Sequence, residues 1–481
     1  MKTLYLHIGQ PKTGTTTLQH FCSENRAALN RLGYDYPVSP LKYRYVNPWR
    51  NGHFLLGHSY SDAREGLAEE NQEKREQGYA LLEEWFGAYD NIVLSDEALW
   101  TDTFRFSEAP FWGRLMQHAR AHGYEVKVIV YLRRQDQFAQ SYYTQSVKEG
   151  GTGKYWGEWL EALGKRRLDY YGNLEAIARH TGREAIDVRV YDRAALDAAG
   201  GIHADFLSAL GICMDDSFVQ LPADENTASP NLNALAIKRA INIGPHFDRS
   251  INGLFREAMF YKTPDYTTPP ARWALASEAE TRRLLEQYAE GNARIAKYYR
   301  HEEGPLFSTE VQPAEKWQQD NPCMFEDLLA YFLRLNALQN KQVRKRAVRG
   351  GRHKADVGAS CRRMDEWQEY FAKVIVHEEG VNINVARCMG EFFALRQHDL
   401  KAGVRLRRLD RATVVNMALE LRAISKRMAA MQAELDNRPS ARLQEQREVW
   451  KRRFALVWKH AGRALAHPSE IVAYVKWRLN L

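Results

Sequence analysis

Cysteine is scarce in this chain, with five in 481 residues (Cys22, Cys213, Cys323, Cys361 and Cys388). They are odd in number and scattered, and none forms a Cys-x-x-Cys pair or a Cys/His zinc spacing. A disulfide framework is therefore excluded as an organising feature, a reducing compartment is expected, and no metal is. Long apolar runs are missing as well, since no stretch reaches the roughly 18 residues that span a bilayer. No leader is expected either, because a strand-like segment begins at Thr3. Together these absences predict a cytoplasmic protein. Positive charge is concentrated rather than general: of the formal +8, +7 lies between Arg438 and Leu481. The basic run Lys341–Lys354 lacks the interleaved aromatic residues that stack on bases, so no nucleic-acid partner is expected.

The most informative segment is His7–Thr16, His-Ile-Gly-Gln-Pro-Lys-Thr-Gly-Thr-Thr. An apolar strand (Leu4, Leu6, Ile8) enters a turn with Gly9, Pro11 and Gly14. A helix follows, with apolar positions at Leu18, Phe21, Cys22, Leu29 and Leu32. Strand, glycine turn and helix N-terminus gather backbone N–H groups and the helix dipole around an anion. Lys12 adds charge, and Thr13, Thr15, Thr16 and Thr17 add hydroxyl donors. The order differs from the nucleoside-triphosphate loop, whose lysine follows the last glycine; here Lys12 precedes Gly14 by two residues.

Residues 1–310 alternate strand and helix signals, the pattern of an α/β domain with a parallel sheet. Asn91–Ser95, Val126–Leu132 and Ile186–Tyr191 read as strands, and Tyr79–Phe86 and Tyr155–Leu163 as helical. Ligands of such sheets sit at the C-terminal strand ends, so the loops after Ile8, Ser95, Leu132 and Tyr191 should converge. Residues 311–409 read as a helical extension. Val414, Met417, Leu421, Ile424, Met428, Met431 and Leu435 then form an a/d seam within 410–437, suited to a homo-oligomer or to packing on the chain itself. The tail 438–481 sets Arg and Lys against Trp450, Phe454, Trp458, Tyr474 and Trp477. This pattern fits an anionic membrane surface or a docked helix.

Arg133 ends the strand-like run Val126–Leu132, and Ser141 follows eight residues later. The arginine by charge and the serine by its hydroxyl are suited to a second phosphate. Pro-Lys-Thr-Gly-Thr-Thr followed by this Arg…Ser pair resembles the PAPS-dependent sulfotransferases. Leu-Arg-Arg-Gln-Asp, Ser-Tyr-Tyr-Thr-Gln, Val188–Arg193, the Asn226–Asn242 region and Tyr288–Phe307 are similar to the bacterial polysaccharide type. The resemblance covers about residues 1–310. It implies a P-loop-like three-layer sandwich with a central parallel sheet. It also implies 5'-phosphosulfate binding by Lys12, Thr13, Gly14, Thr15, Thr16 and Thr17, 3'-phosphate binding by Arg133 and Ser141, and a nucleotide contact at Tyr191. The chain departs from animal cytosolic members at Thr17, where Trp is common, and has no Arg-Lys-Gly loop near the domain end.

The implied reaction moves a sulfuryl group from PAPS to a hydroxyl of a carbohydrate or glycan by in-line displacement, releasing PAP. Lys12 would stabilise the leaving phosphate. The acceptor hydroxyl needs a base; Glu97, two residues past Ser95, competes for that role with His53 and His58. Two other functions remain open on the residues alone. A magnesium-dependent P-loop kinase would use Asp96 at the end of Asn91–Asp96. A coiled-coil or membrane-surface scaffold would keep a vestigial nucleotide site.

Overall fold

Alternation of apolar residues makes the strands, and their parallel order decides at which edge every loop emerges. The computed structural model describes residues 1–43, 46–56, 68–105, 110–220, 231–243, 249–260 and 273–318, with single positions between 321 and 338. Five strands, β1 (Lys2–His7), β2 (Tyr34–Asp35), β3 (Asn91–Ser95), β4 (Tyr124–Leu132) and β5 (Ile186–Val190), form one sheet in the order β2-β3-β1-β4-β5. Every pairing is parallel, with His7 opposite both Ser95 and Ile129, and Leu132 opposite Val190.

A parallel sheet must be covered on both faces. Leu4, Leu6, Ile92, Leu94, Val128 and Val130 point to one face. They pack with residues of helices Ala68–Ala88, Pro110–His122, Tyr170–Thr181 and Ala289–Tyr299. Tyr5, Val93, Ile129 and Tyr131 point the other way, toward helices Thr15–Glu24 and Ile202–Ala209. The fold class is therefore α/β with a central parallel sheet, as the alternating pattern predicts.

Three local expectations are corrected. The helix expected to continue from the glycine turn through Leu32 breaks at Asn25 into Thr15–Glu24 and Arg26–Arg31. Asn25 Nδ2 donates to the carbonyls of Phe21 and Val219, and its Oδ1 accepts from the Val219 N–H, which gives the backbone an alternative to the helix ladder. Leu32 consequently caps the second helix and is 48% exposed. The strand expected at Val126 starts two residues earlier, and the one expected to end at Tyr191 stops at Val190.

Two compact units divide the chain. The first comprises Met1–Tyr142, Leu160–Glu225 and Glu278–Gln312 and carries the five-stranded sheet. The second takes Tyr143–Trp159, Asn226–Ser277 and the described positions from Pro313 onward. In it, helix Leu232–Ile241 carries Lys238, buried among the Asn242 and Asn252 carboxamides and pushed by burial down to about 7. No helix among the described residues is long and apolar enough to cross a membrane. His58, the seam Val414–Leu435 and the tail 438–481 lie outside the described residues.

Leu6 is fully buried in the central strand. Leu6→Ala is expected to cost about 2–5 kcal/mol, read as a lower denaturant midpoint with unchanged slope.

Candidate active site

The chain leaves β1 toward β2 on one side, whereas β4 leads to β5 on the other, and β1 and β4 are neighbours. This is the topological switch point, and parallel sheets bind ligands in the crevice at the C-terminal edge of such a point. The loop after β1 is clamped there by main-chain hydrogen bonds. Ile8 N–H donates to Ile129 O (3.0 Å), Gln10 N–H to Tyr131 O (3.1 Å), and Tyr131 N–H to Gly9 O (2.8 Å).

The backbone then turns sharply. Lys12 has φ 71° and Gly14 φ 75°, left-handed values that direct neighbouring N–H groups into a concave nest. For lysine this conformation costs about 1 kcal/mol, a strain characteristic of ligand loops. Gly14 is also the N-cap of helix Thr15–Glu24 and supplies no side-chain cap. A Cβ there would lie 2.7 Å from Ile202 Cδ1 and 3.5 Å from the Tyr191 ring. Thr13 is fully buried and its hydroxyl donates to Gln10 O (2.6 Å), so it shapes the loop. Lys12 and Thr17 are half-buried, Thr15 is buried and Thr16 is exposed.

Arg133 closes the other side. Its Nη1–H donates to Lys12 O (3.3 Å), its backbone N–H donates to Gln10 Oε1 (3.1 Å), and its carbonyl accepts from the Tyr170 hydroxyl (2.9 Å). The guanidinium carbon stands 5.6 Å from the Tyr191 ring centre. Burial pulls the Arg133 pKa down, opposed by Tyr191 and Tyr170, and its Nε is buried without a hydrogen-bond partner. A cation held this way has donor capacity that an anion would satisfy. Ser141 sits half-buried in the second turn of helix Gln135–Lys148, the helix that follows Arg133.

The loop after β3 brings the acidic residues. Glu97 lies against Gly9, whose added Cβ would come within 3.0 Å of Glu97 Cβ; with φ 101°, only glycine suits that position. Glu97 Oε2 accepts from Gln19 Nε2 (3.0 Å), and Oε1 is 3.4 Å from Arg50 Nη1. Its side chain stays 23% exposed. Asp96 is wholly buried and both its oxygens are engaged. Oδ2 takes His53 Nδ1 (2.8 Å) and Arg50 Nε (3.1 Å), and Oδ1 takes Arg50 Nη2 and the Ala98 N–H (2.7 Å). Burial alone would raise its pKa, but the Arg50 guanidinium and His53 hold it well below the usual carboxylate range. The carboxylate a kinase would offer to magnesium is thus already committed to Arg50 and His53. His53 is 3% exposed, packs edge-on against Tyr43, and leaves its Nε2 without a partner.

Lys12, the threonines, Arg133, Tyr191 and Glu97 therefore meet along one strand edge, with His53 buried behind Glu97's neighbour Asp96. Sequence reasoning missed Gln10, Gln19, Arg50 and Tyr170. Gln10 lies within the His7–Thr16 segment itself, but a neutral carboxamide carries no anion-binding signal; Arg50 and Tyr170 act on partners 46 and 37 residues away and carry no local signal.

No family model matches the chain. An uncharacterized protein of Archaeoglobus fulgidus is 30% identical over 182 residues, 36% of this chain. The match spans 45% of that relative's length. Among solved structures, a sulfotransferase from Alicyclobacillus acidocaldarius aligns with a TM-score of 0.27 and 16% identity. The alignment covers 50% of this chain and 94% of that one. This likeness is too slight to carry an argument.

His7, at the end of β1, is fully buried against Ser95 Oγ (2.8 Å). Burial lowers its pKa from 6.5 to about 4, with Asp96 opposing. Below pH 6.5 the unfolded chain takes up a proton at His7 that the folded chain refuses until about pH 4. Stability from this group is therefore complete above pH 6.5 and is lost across that window, by about 3 kcal/mol in all. Melting temperature against pH should fall less steeply from pH 6.5 to 4 in His7→Gln than in the parent chain.

Proposed function

We propose that the chain is a PAPS-dependent sulfotransferase acting on a hydroxyl of a carbohydrate or glycan. The observation that carries the reading is the direct hydrogen bond from Arg133 to the backbone of Lys12. It joins a strand-ending arginine to the left-handed anion loop at the switch point. Two anion-seeking groups on one crevice suit a nucleotide with separate 5' and 3' phosphates. The unpartnered Arg133 Nε and the crowded, glycine-requiring contact of Gly14 with Tyr191 are consistent with a phosphate and a nucleoside resting there. Ser141 is proposed as a second donor to the 3'-phosphate, and Thr13, Thr15, Thr16 and Thr17 belong to the 5' side.

The donor supplies a sulfuryl group whose bond to the 5'-phosphate oxygen breaks as the acceptor oxygen attacks sulfur in line. Lys12 and the N–H groups opening helix Thr15–Glu24 stabilise the charge that collects on that phosphate, more in the transition state than before it. Glu97 is assigned to take the acceptor proton, because it is the partly exposed acid beside the loop. His53 is the alternative base, with Asp96 fixing its Nδ1 side and its buried Nε2 remaining for the acceptor. The glycan preference rests on the sequence resemblance. Self-association through Val414–Leu435 and surface attachment through 438–481 are proposals of the same standing.

The test is transfer of radiolabelled sulfate from PAPS into a polysaccharide fraction, with circular dichroism to verify folding. Lys12→Ala is expected to lower turnover about 10²–10³-fold with a smaller change in PAP affinity. Glu97→Gln should lower it about 10²–10⁴-fold, against a small effect of His53→Gln. The reverse ranking would make His53 the base. No transfer to any hydroxyl acceptor by the parent chain would defeat the proposal.

A further inference from the structure

Far from the crevice, three ligand-type side chains meet on two helices. His118 and His122 are one turn apart near the end of helix Pro110–His122, and Glu83 belongs to helix Ala68–Ala88. The two imidazole rings stack with centroids 4.1 Å apart and planes 16° from parallel. Glu83 Oε1 lies 3.2 Å from His118 Nε2 and 3.6 Å from His122 Nε2. One ligand atom from each of the three residues falls within 4.8 Å of the others. With metal–ligand bonds of about 2.0–2.1 Å, tetrahedral geometry separates ligand atoms by about 3.4 Å, between the two spacings found here.

We infer that Glu83, His118 and His122 bind a divalent transition metal of the zinc type, with solvent as the remaining ligand. Two imidazoles and a carboxylate are the donor set that suits such an ion better than magnesium or calcium, which prefer all-oxygen shells. Solvent has access, because Glu83 and His122 are 47% and 40% exposed. A supporting shell is present as well. His118 Nδ1 is 3.0 Å from the Tyr124 hydroxyl, and Tyr79 packs on the His118 ring at 4.6 Å. A phenol hydroxyl both donates and accepts, so it can hold Nδ1 whether Nε2 carries a proton or a metal.

The place in the fold gives the ion its role. Helix Ala68–Ala88 precedes β3, and helix Pro110–His122 precedes β4 across Gly123. The cluster therefore lies at the N-terminal edge of the sheet. The nine-residue strand Tyr124–Leu132, roughly 30 Å long, runs from this edge to the opposite one, where Arg133 follows it. A metal here would tie together two helices that lead into central strands and take no part in the chemistry at Lys12. Sequence inspection for cysteine-based spacings passed over the His-x-x-x-His pair.

The experiment is zinc titration of the chelator-stripped full chain by calorimetry, with melting temperature followed in parallel, for the parent and for His122→Ala. The His122 side chain is exposed enough for its loss to leave the fold intact; Glu83→Gln is the second variant. The parent is expected to bind one zinc per chain that both variants bind at least about tenfold more weakly. Zinc should raise the melting temperature of the parent more than that of either variant. Equal stoichiometry and affinity in parent and variants, or an equal thermal shift, would overturn the inference. The readout needs no sulfuryl donor, so it stands or falls separately from the proposed activity.

Discussion

Two loops that leave adjacent parallel strands in opposite directions must be held together if a ligand is to bridge them. Here the bridge is Arg133. Its backbone and guanidinium reach Gln10 and Lys12, and the Tyr170 hydroxyl fixes its carbonyl from the neighbouring helix. Without those bonds the left-handed turn at Lys12 would have little to offset its strain. The sheet contributes by register: His7 stands level with Ser95 and Ile129, so the loops after β1, β3 and β4 emerge side by side.

A second constraint is electrostatic. Arg50 and Asp96 form a buried pair, and burial of such charges is tolerated only when both partners are fully hydrogen-bonded. Burial opposes the Arg50 charge, yet Asp96 and Glu97 together raise its pKa above the usual value. This pair anchors the β3 loop, and through Arg50 it also fixes one oxygen of Glu97. The geometry of Glu97 beside Gly9 thus depends on an ion pair that does no chemistry itself. Breaking one partner of such a pair leaves an uncompensated buried charge, a larger penalty than losing the contact.

Much of the candidate site is legible because its signals are local. Lys12, Gly14 and the threonines are contiguous, Arg133 directly follows a strand, and Glu97 is two residues past one. What could not be read depends on distance or on brevity. Strand β2 has two residues, too few for any periodicity, and is held by Asp35 bonding to Arg26 and Asn30. The helix break at Asn25 needs Val219, which is 194 residues away. Arg50 has no motif of its own, and its role appears only when the fold places it against Asp96. The choice among Glu97, His53 and His58 is open in the sequence for the same reason, since exposure is a property of packing.

On the proposed function, Arg133 and the Lys12 loop would hold two phosphates of one nucleotide. Calorimetric titration of the chain with PAP and with 5'-AMP, magnesium absent, in the parent and in Arg133→Ala measures this grip. PAP is expected to bind the parent at least about tenfold more tightly than 5'-AMP, the worth of one charge-assisted contact, and Arg133→Ala to erase most of that difference. Equal affinity for the two nucleotides, or binding that requires magnesium, would contradict it.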